Sequence, residues 1–146
     1  MSKARYGAGA SWLLYFQRYS FVGITGRVEL TSTITVAALS FLFESAAALL
    51  EFGLAQEPGG DDEVVLLDGS VIAYFNSSEG RAYLGLGTGF ARWEDKRGWD
   101  RGVWYQNFSK FIIGGEFSYA SLSFFVQASL TFGSWFNPVM TAGMWF

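Results

Sequence analysis

The stretch "SYASLSFFVQASLTF", residues 118–132, alternates apolar and polar side chains over most of its length. One set of alternate positions is wholly apolar, and it contains Ala120, Leu122, Phe124, Val126, Ala128, Leu130 and Phe132. The opposite set is mainly polar and contains Tyr119, Ser121, Ser123, Gln127, Ser129 and Thr131. Successive side chains of a β-strand point to opposite faces, so the pattern predicts a strand with one apolar and one polar face.

The same two-residue period occurs in most of the chain. Alternate positions are apolar in the further stretches 5–17, 21–31, 46–54, 64–76 and 81–91. The stretch 99–112 is ambiguous, because Trp104 and Phe108 share a face with Gln106 and Lys110. Repeated strands of about ten residues, each with an apolar face, are typical of transmembrane β-barrels.

Composition supports a lipid environment. Of the 146 residues, 51% are hydrophobic and only 16% are charged, whereas soluble domains have roughly 25% charged residues. A chain this short cannot bury most of its surface in one core. In hydrocarbon every backbone polar group must be paired, and a closed sheet pairs them all. We therefore predict an all-β fold, a closed antiparallel transmembrane β-barrel that forms a single domain over residues 1–146.

The number of strands follows less directly from the pattern. Our segmentation gives about nine, but bacterial single-chain barrels have even numbers, so eight strands are predicted and ten are the alternative. This division into strands places turns at Glu44–Ser45–Ala46 and at 113–116. It treats Asp68–Gly69 as part of a strand, although this pair is also a hairpin signal. The longer polar connections at 56–63 and 93–98 are expected at one end, and the shorter ones near 45, 76–80 and 113–116 at the other.

A helical alternative exists for "ITVAALSFLFESAAALLEFGL", residues 34–54. The stretch is long enough to span a bilayer as a helix. Glu44 and Glu51 would each cost roughly a few kcal/mol at mid-membrane. As strands, the stretch places both glutamates on the polar face, and the sequence favours that interpretation.

Charged residues on the polar faces predict an interior network. A barrel of about eight strands is narrow enough for side chains to fill. Charges inside it are costly unless they are paired. The predicted network consists of Arg27, Glu29, Glu44, Glu51, Asp68 and Arg81.

Aromatic residues predict where the barrel meets the membrane surface, because amphipathic rings settle there. The predicted interfacial set is Trp12, Trp93, Trp135, Trp145 and Phe146. At the end of the chain, Asn137–Pro138 is expected to form a turn before a closing strand. Met140, Ala142, Met144 and Phe146 would then share the lipid face.

This last strand resembles the C-terminal strand of bacterial outer-membrane barrels, which typically alternates apolar residues and ends in Phe. The resemblance implies residence in the bacterial outer membrane and recognition by the barrel-assembly machinery. The N-terminal "MSKARYGAGA" does not have the pattern of a signal peptide. We therefore expect a mature chain with an added Met.

The stretch "GTGFARWEDKRGWDRGVWY", residues 87–105, resembles a hairpin of the lipid A palmitoyltransferase family. The matching positions are Gly87, Gly89, Arg92, Trp93, Glu94, Asp95, Lys96 and Trp99. The resemblance implies an eight-stranded barrel and a lipid-facing role. The activity of that family relies on a His, an Asp and a Ser, and this chain contains no His, so the catalytic set is not carried over.

The residues offer no constellation for catalysis or for cofactor or metal binding. His and Cys are absent, which removes the commonest general base and all thiolate chemistry. "GLGTG" at 85–89 lacks the full dinucleotide motif, and "GGDDE" at 59–63 does not have the spacing of a calcium loop. No catalytic, cofactor or metal residue is predicted, and the sequence leans against an enzyme.

Charge and pattern define the expected partners. The net charge is −3 with no basic stripe, so nucleic acid is not expected. The expected partner is a lipid bilayer or detergent, and the expected state is a monomer. The predicted function is a small outer-membrane barrel with a structural, adhesive or narrow-pore role. The alternatives are a membrane-embedded lipid-modifying enzyme and a soluble or designed barrel that binds a lipophilic ligand.

Overall fold

The computed structural model describes residues 3–15, 19–32, 43–58, 62–75, 80–95, 102–133 and 136–146. These residues form eight β-strands in chain order: β1 Lys3–Tyr15, β2 Tyr19–Ser32, β3 Phe43–Gln56, β4 Glu63–Phe75, β5 Arg81–Asp95, β6 Gly102–Tyr119, β7 Leu122–Phe132 and β8 Phe136–Trp145. Each strand pairs antiparallel with the next one, and β1 pairs with β8. The prediction of an all-β, closed eight-stranded barrel is confirmed.

The last residue takes part in the closure. The Phe146 N–H donates a hydrogen bond of 2.7 Å to the Tyr6 carbonyl, which continues the β1–β8 pairing past the end of β8. In the described part of the chain, no helix is both long and apolar enough to cross a membrane. Residues 43–54 of the stretch 34–54 lie in β3, and residues 34–42 lie outside the described ranges.

Two predicted turns are wrong, and the one at 44–46 added a strand to the predicted count. Strand β3 begins at Phe43 and continues through Ser45, which pairs with Tyr74, so no break occurs at 44–46. Strand β6 continues through 113–116 as far as Tyr119, and the turn lies at Ala120–Ser121, where φ is positive. Both strands are longer than the expected ten residues, so alternation alone did not mark their ends.

The predicted turn at Asn137–Pro138 is also wrong. Both residues belong to β8, whose first residue, Phe136, pairs with Tyr15. A proline is tolerated near the start of a strand, where it need not donate to a ladder. The interpretation of Asp68–Gly69 as strand is correct, since both residues lie inside β4 and pair with β3.

The connections alternate between the two ends of the barrel. Strands β3 and β5 finish at one end, which is called the loop end here, and their connections to β4 and β6 lie there. The chain termini and the connections β4–β5 and β6–β7 lie at the opposite end, called the termini end. The expected placement of 56–63 and 93–98 at one end, opposite 76–80, therefore matches the topology.

The two faces of the sheet have the reverse of a soluble protein's polarity. In the stretch 118–132, Val126, Leu130 and Phe132 lie on the outside and are exposed. On the inward positions of the same strand, Gln127 and Ser129 are 2% and 3% exposed. Side chains such as Ile24, Leu86 and Val71 continue the outer apolar surface around the barrel. This arrangement suits a protein whose surrounding solvent is hydrocarbon.

Glycines allow close approach where the barrel closes. Gly9 and Gly143 are directly paired across β1 and β8. A Cβ added to Gly143 would lie 2.2 Å from the Ala8 carbonyl oxygen, and one added to Gly9 would lie 2.3 Å from the Ala142 oxygen. Backbone occupies the space of a side chain at both positions, so the closing ladder requires glycine there.

Replacement of Gly143 by Ala forces β1 or β8 to move away. We therefore expect the free energy of unfolding to fall by roughly 1–3 kcal/mol or more, the usual cost of overpacking. The matched control is Gly26→Ala, since a Cβ at Gly26 meets nothing within 4 Å. Denaturant unfolding in detergent micelles measures both variants. Equal unfolding midpoints for the two variants would contradict this account of the closure.

Candidate functional site in the barrel interior

Glu51 on β3 is the hub of a buried cluster halfway along the barrel. Its carboxylate accepts hydrogen bonds from Arg27 Nη2 at 2.9 Å, Lys110 Nζ at 3.1 Å and Gln127 Nε2 at 3.0 Å. Lys110 also donates to Asp68. We call Arg27, Glu51, Asp68, Lys110 and Gln127 the central cluster. Cations and carboxylates alternate in it, which offsets the cost of removing them from water.

The register of the sheet brings this cluster together. Arg27 pairs with Glu51 across β2 and β3, and Glu51 pairs with Asp68 across β3 and β4. Two carboxylates in directly opposite positions repel each other. Lys110 reaches across the lumen from β6 and forms ion pairs with both, so it is the residue that makes this register tolerable.

A second group of charges lies toward the termini end. Arg5 forms two bonds of 3.1 Å to Glu29 and also donates to Glu116, while Arg81 donates to Glu116 at 3.0 Å. The Tyr74 hydroxyl lies among them, within hydrogen-bonding distance of Glu29 and Glu116. We call Arg5, Glu29, Tyr74, Arg81 and Glu116 the mouth cluster. One carboxylate thus joins two arginines that come from strands β1 and β5.

Aromatic rings cover the guanidinium groups of both clusters. The Arg27 Cζ atom lies 3.9 Å from the centre of the Phe125 ring, and Arg5 Cζ lies 3.8 Å from that of Trp145. Such cation–π contacts stabilise a desolvated cation by roughly 2 kcal/mol. The rings also fill space beside the charges, so the lumen is packed where the charges lie.

The loop end of the lumen is closed by apolar side chains. Leu13, Phe21, Val64 and Phe136 are each at most 1% exposed and pack together. Trp93 contacts the Phe21 and Phe136 rings at centroid distances of 5.8 and 5.9 Å. We call these five residues the apolar plug. It lies between the central cluster and the loop end.

Counted over the described residues of the two clusters, four cations face four carboxylates. The cations are Arg5, Arg27, Arg81 and Lys110, and the carboxylates are Glu29, Glu51, Asp68 and Glu116. The interior charge is therefore balanced within these clusters. A cavity of about 30 Å³ beside the central cluster is lined partly by Ser11, Thr25 and Thr141, and it has room for one or two water molecules.

The predicted interior residues occupy both clusters. Arg27, Glu51 and Asp68 belong to the central cluster, and Glu29 and Arg81 belong to the mouth cluster. Glu44 lies in β3, but its side chain is outside what the structure describes.

The sequence interpretation missed Arg5, Lys110 and Glu116. Arg5 lies at alternate positions with Gly7 and Gly9 on the inward face of β1. Its place in the alternation, called parity here, was therefore a usable signal. Lys110 fell in the ambiguous stretch 99–112, and Glu116 fell in an expected turn.

The interfacial aromatics divide into two sets. Trp12 and Phe146 point outward and are 42% and 79% exposed. The prediction is wrong for Trp93 and Trp145, which lie inside the barrel, Trp93 in the apolar plug and Trp145 beneath Arg5. The reason is parity: Trp145 alternates with the outward residues Met144 and Phe146. Trp135 lies outside the described residues.

Comparisons with known proteins identify the fold. No protein-family model matches the chain, and no curated protein matches its sequence. Among solved structures, it is similar to Neisserial surface protein A (NspA), with a TM-score of 0.65 and 12% identity over 97% of this chain and 94% of that one. It is also similar to the outer membrane enzyme PagL, with a TM-score of 0.53 and 12% identity over 95% and 96%. The chain has the fold of small outer-membrane β-barrels.

The stretch 87–105 that resembles the lipid A palmitoyltransferase family begins within β5 and ends within the first residues of β6. The eight-stranded barrel implied by that resemblance is the fold observed. Lys96 and Trp99, two of its matching positions, lie outside the described residues. Within the described ranges, no group of three or more acidic side chains could hold a metal ion.

Replacement of Lys110 by Met is expected to destabilise the barrel by roughly 3–5 kcal/mol, because it leaves Glu51 and Asp68 facing each other in a buried site. The control is Arg92→Met, since Arg92 pairs with Glu94 at 3.5 Å where both side chains are about one-third exposed. That exposed pair contributes roughly 0–1 kcal/mol. Denaturant unfolding midpoints compare the two variants, and a Lys110→Met midpoint equal to wild type would show that Lys110 is dispensable.

Proposed function

We propose that this protein is a closed barrel of the bacterial outer membrane with a structural or adhesive role. The observation that carries the proposal is the filled lumen, in which the mouth cluster, the central cluster and the apolar plug follow one another along the barrel. Such a barrel holds a position in the membrane and presents its ends to the aqueous phases. It does not act through its interior.

The outer surface supports residence in a bilayer. Large apolar side chains from strands β1 to β7 are exposed on it, including Ile24, Leu54, Leu67 and Ile113. Exposed apolar surface on this scale is unfavourable in water and favourable in lipid. A soluble carrier needs the reverse arrangement, with its apolar face inside. The lipid bilayer is therefore the partner that best fits the outer face.

The interior argues against the narrow-pore role. An ion needs a continuous wet path or a ring of uncompensated charge to pass through a barrel. Here the charges compensate one another, and Phe21 and Phe136 close the loop end with essentially no exposed surface. Gln127, which bonds to Arg27, Glu51 and Tyr83, adds cross-links across the central lumen.

The connections at the loop end have polar sequences, which suit contact with the aqueous phase. The β3–β4 connection there carries "EPGGDD", and the β5–β6 connection carries "KRGWDR". Strand β6 begins seven residues before its first pair with β7, Ser109–Phe132, so the β5–β6 hairpin extends beyond β7. A projecting hairpin with exposed Tyr105 is a suitable element for adhesion.

We expect the pure protein to fold only in detergent or lipid and to leave planar bilayers electrically silent, because the filled lumen offers ions no path. Folding is measured by the mobility difference between unboiled and boiled samples on a gel. Conductance is measured in the same preparation after reconstitution.

A larger, open porin reconstituted in parallel serves as the positive control for insertion. Discrete conductance steps from the wild-type protein would overturn the closed-barrel proposal. Folding in plain buffer to a monodisperse β-protein would overturn its membrane residence.

A further inference from the structure

An open cavity of about 410 Å³ lies at the termini end of the barrel. Its lining comprises Arg5, Gly80, Arg81, Glu116, Phe117, Ser118 and Ser123. It is separated from the loop end by the central cluster and the apolar plug. The closed-barrel role makes no use of this cavity.

The charges around the cavity are layered. The side chains of Arg5 and Arg81 are 24% and 30% exposed, whereas those of Glu29 and Glu116 are 0% and 6% exposed. The guanidinium groups therefore form the surface, and the carboxylates lie beneath them. Although the four charges cancel, a ligand in the cavity meets the positive groups first, and Coulomb energy falls with distance.

The two arginines are held in position before any ligand binds. The two oxygens of Glu116 accept one arginine each, Oε1 from Arg81 and Oε2 from Arg5. Arg81 also lies over the Tyr74 ring at 4.1 Å, and Arg5 lies over Trp145. Side chains that are already ordered lose little further entropy when they bind a ligand.

Some guanidinium N–H donors at the surface of the cavity remain available to a ligand. A guanidinium carries five N–H donors, of which Arg81 uses only Nη2 in its bond to Glu116. Arg5 uses Nε and Nη2, so its Nη1 donors remain. The Nη1 atom of Arg27 is buried and has no hydrogen-bond partner, whereas no nitrogen of Arg5 or Arg81 is in that situation. Ser118 and Ser123 add two hydroxyls, and they are directly paired across β6 and β7.

We propose that this cavity binds an oxyanion group, a carboxylate or a phosphate, between Arg5 and Arg81. Guanidinium N–H groups match the geometry of both anions and form charge-assisted hydrogen bonds with them. The serine hydroxyls supply further donors on the other wall. The site is formed at the end of the barrel opposite the projecting hairpin and is independent of the proposed structural or adhesive role.

The test uses the folded full-length chain in a non-ionic detergent at constant ionic strength. Inorganic phosphate and acetate are titrated separately while the Nε–H resonances of the arginine side chains are followed by NMR. The expected result is a saturable shift of the Arg5 and Arg81 resonances. Tighter binding of phosphate would assign the site to phosphate groups, and tighter binding of acetate to carboxylates.

Arg81→Gln is expected to weaken binding roughly tenfold or more, the effect of one lost charge-assisted hydrogen bond. Arg81→Lys keeps the charge but loses the planar fork, so it should bind with intermediate affinity. Arg92→Gln at the loop end is the control and should bind like wild type. Unsaturable shifts, or equal weakening by Arg92→Gln, would overturn the proposal, as would unchanged binding in both Arg81 variants.

Discussion

The pairing of buried charges in the lumen is the constraint on which the other features of this barrel depend. A sheet whose outer face is apolar carries its polar side chains on the inner face, where water is scarce. Glu51 and Asp68 occupy directly opposite positions on adjacent strands. They are tolerable there because Lys110 binds both and Arg27 binds Glu51. The register of β2, β3, β4 and β6 is thus tied to the alternation of charge inside.

The polarity of the two faces could be read directly from the sequence. Alternation along 118–132 and in five other stretches identified which residues lie on the outer face, because a strand can place its alternate residues in only two ways. A second rule predicted the closed barrel, because every backbone polar group must be paired in hydrocarbon and a closed sheet has no unpaired edge. The ends of the strands were harder to predict from the sequence. Strand β3 continues through Ser45 and β6 continues through 113–116, so no local signal marked where these strands begin and end.

Part of the composition of the interior was predictable, but the contacts between its side chains were not. Arg27 and Glu51 could be assigned to the polar face from parity alone. That Lys110 reaches them from β6 depends on curvature and shear of the closed sheet, which no short stretch encodes. Trp93 and Trp145 show a related limit. Their residue type suggested the membrane interface, whereas their parity placed them inside, and parity was the correct guide.

The most direct test of charge pairing as the organising constraint is a double-mutant cycle on Arg27 and Glu51. Unfolding free energies are measured in detergent for Arg27→Met, Glu51→Gln and the combined variant. Removal of both charges leaves the Lys110–Asp68 pair intact, so the combined loss should fall short of the sum of the single losses by roughly 1–3 kcal/mol. Strictly additive losses, or single variants as stable as wild type, would contradict the account.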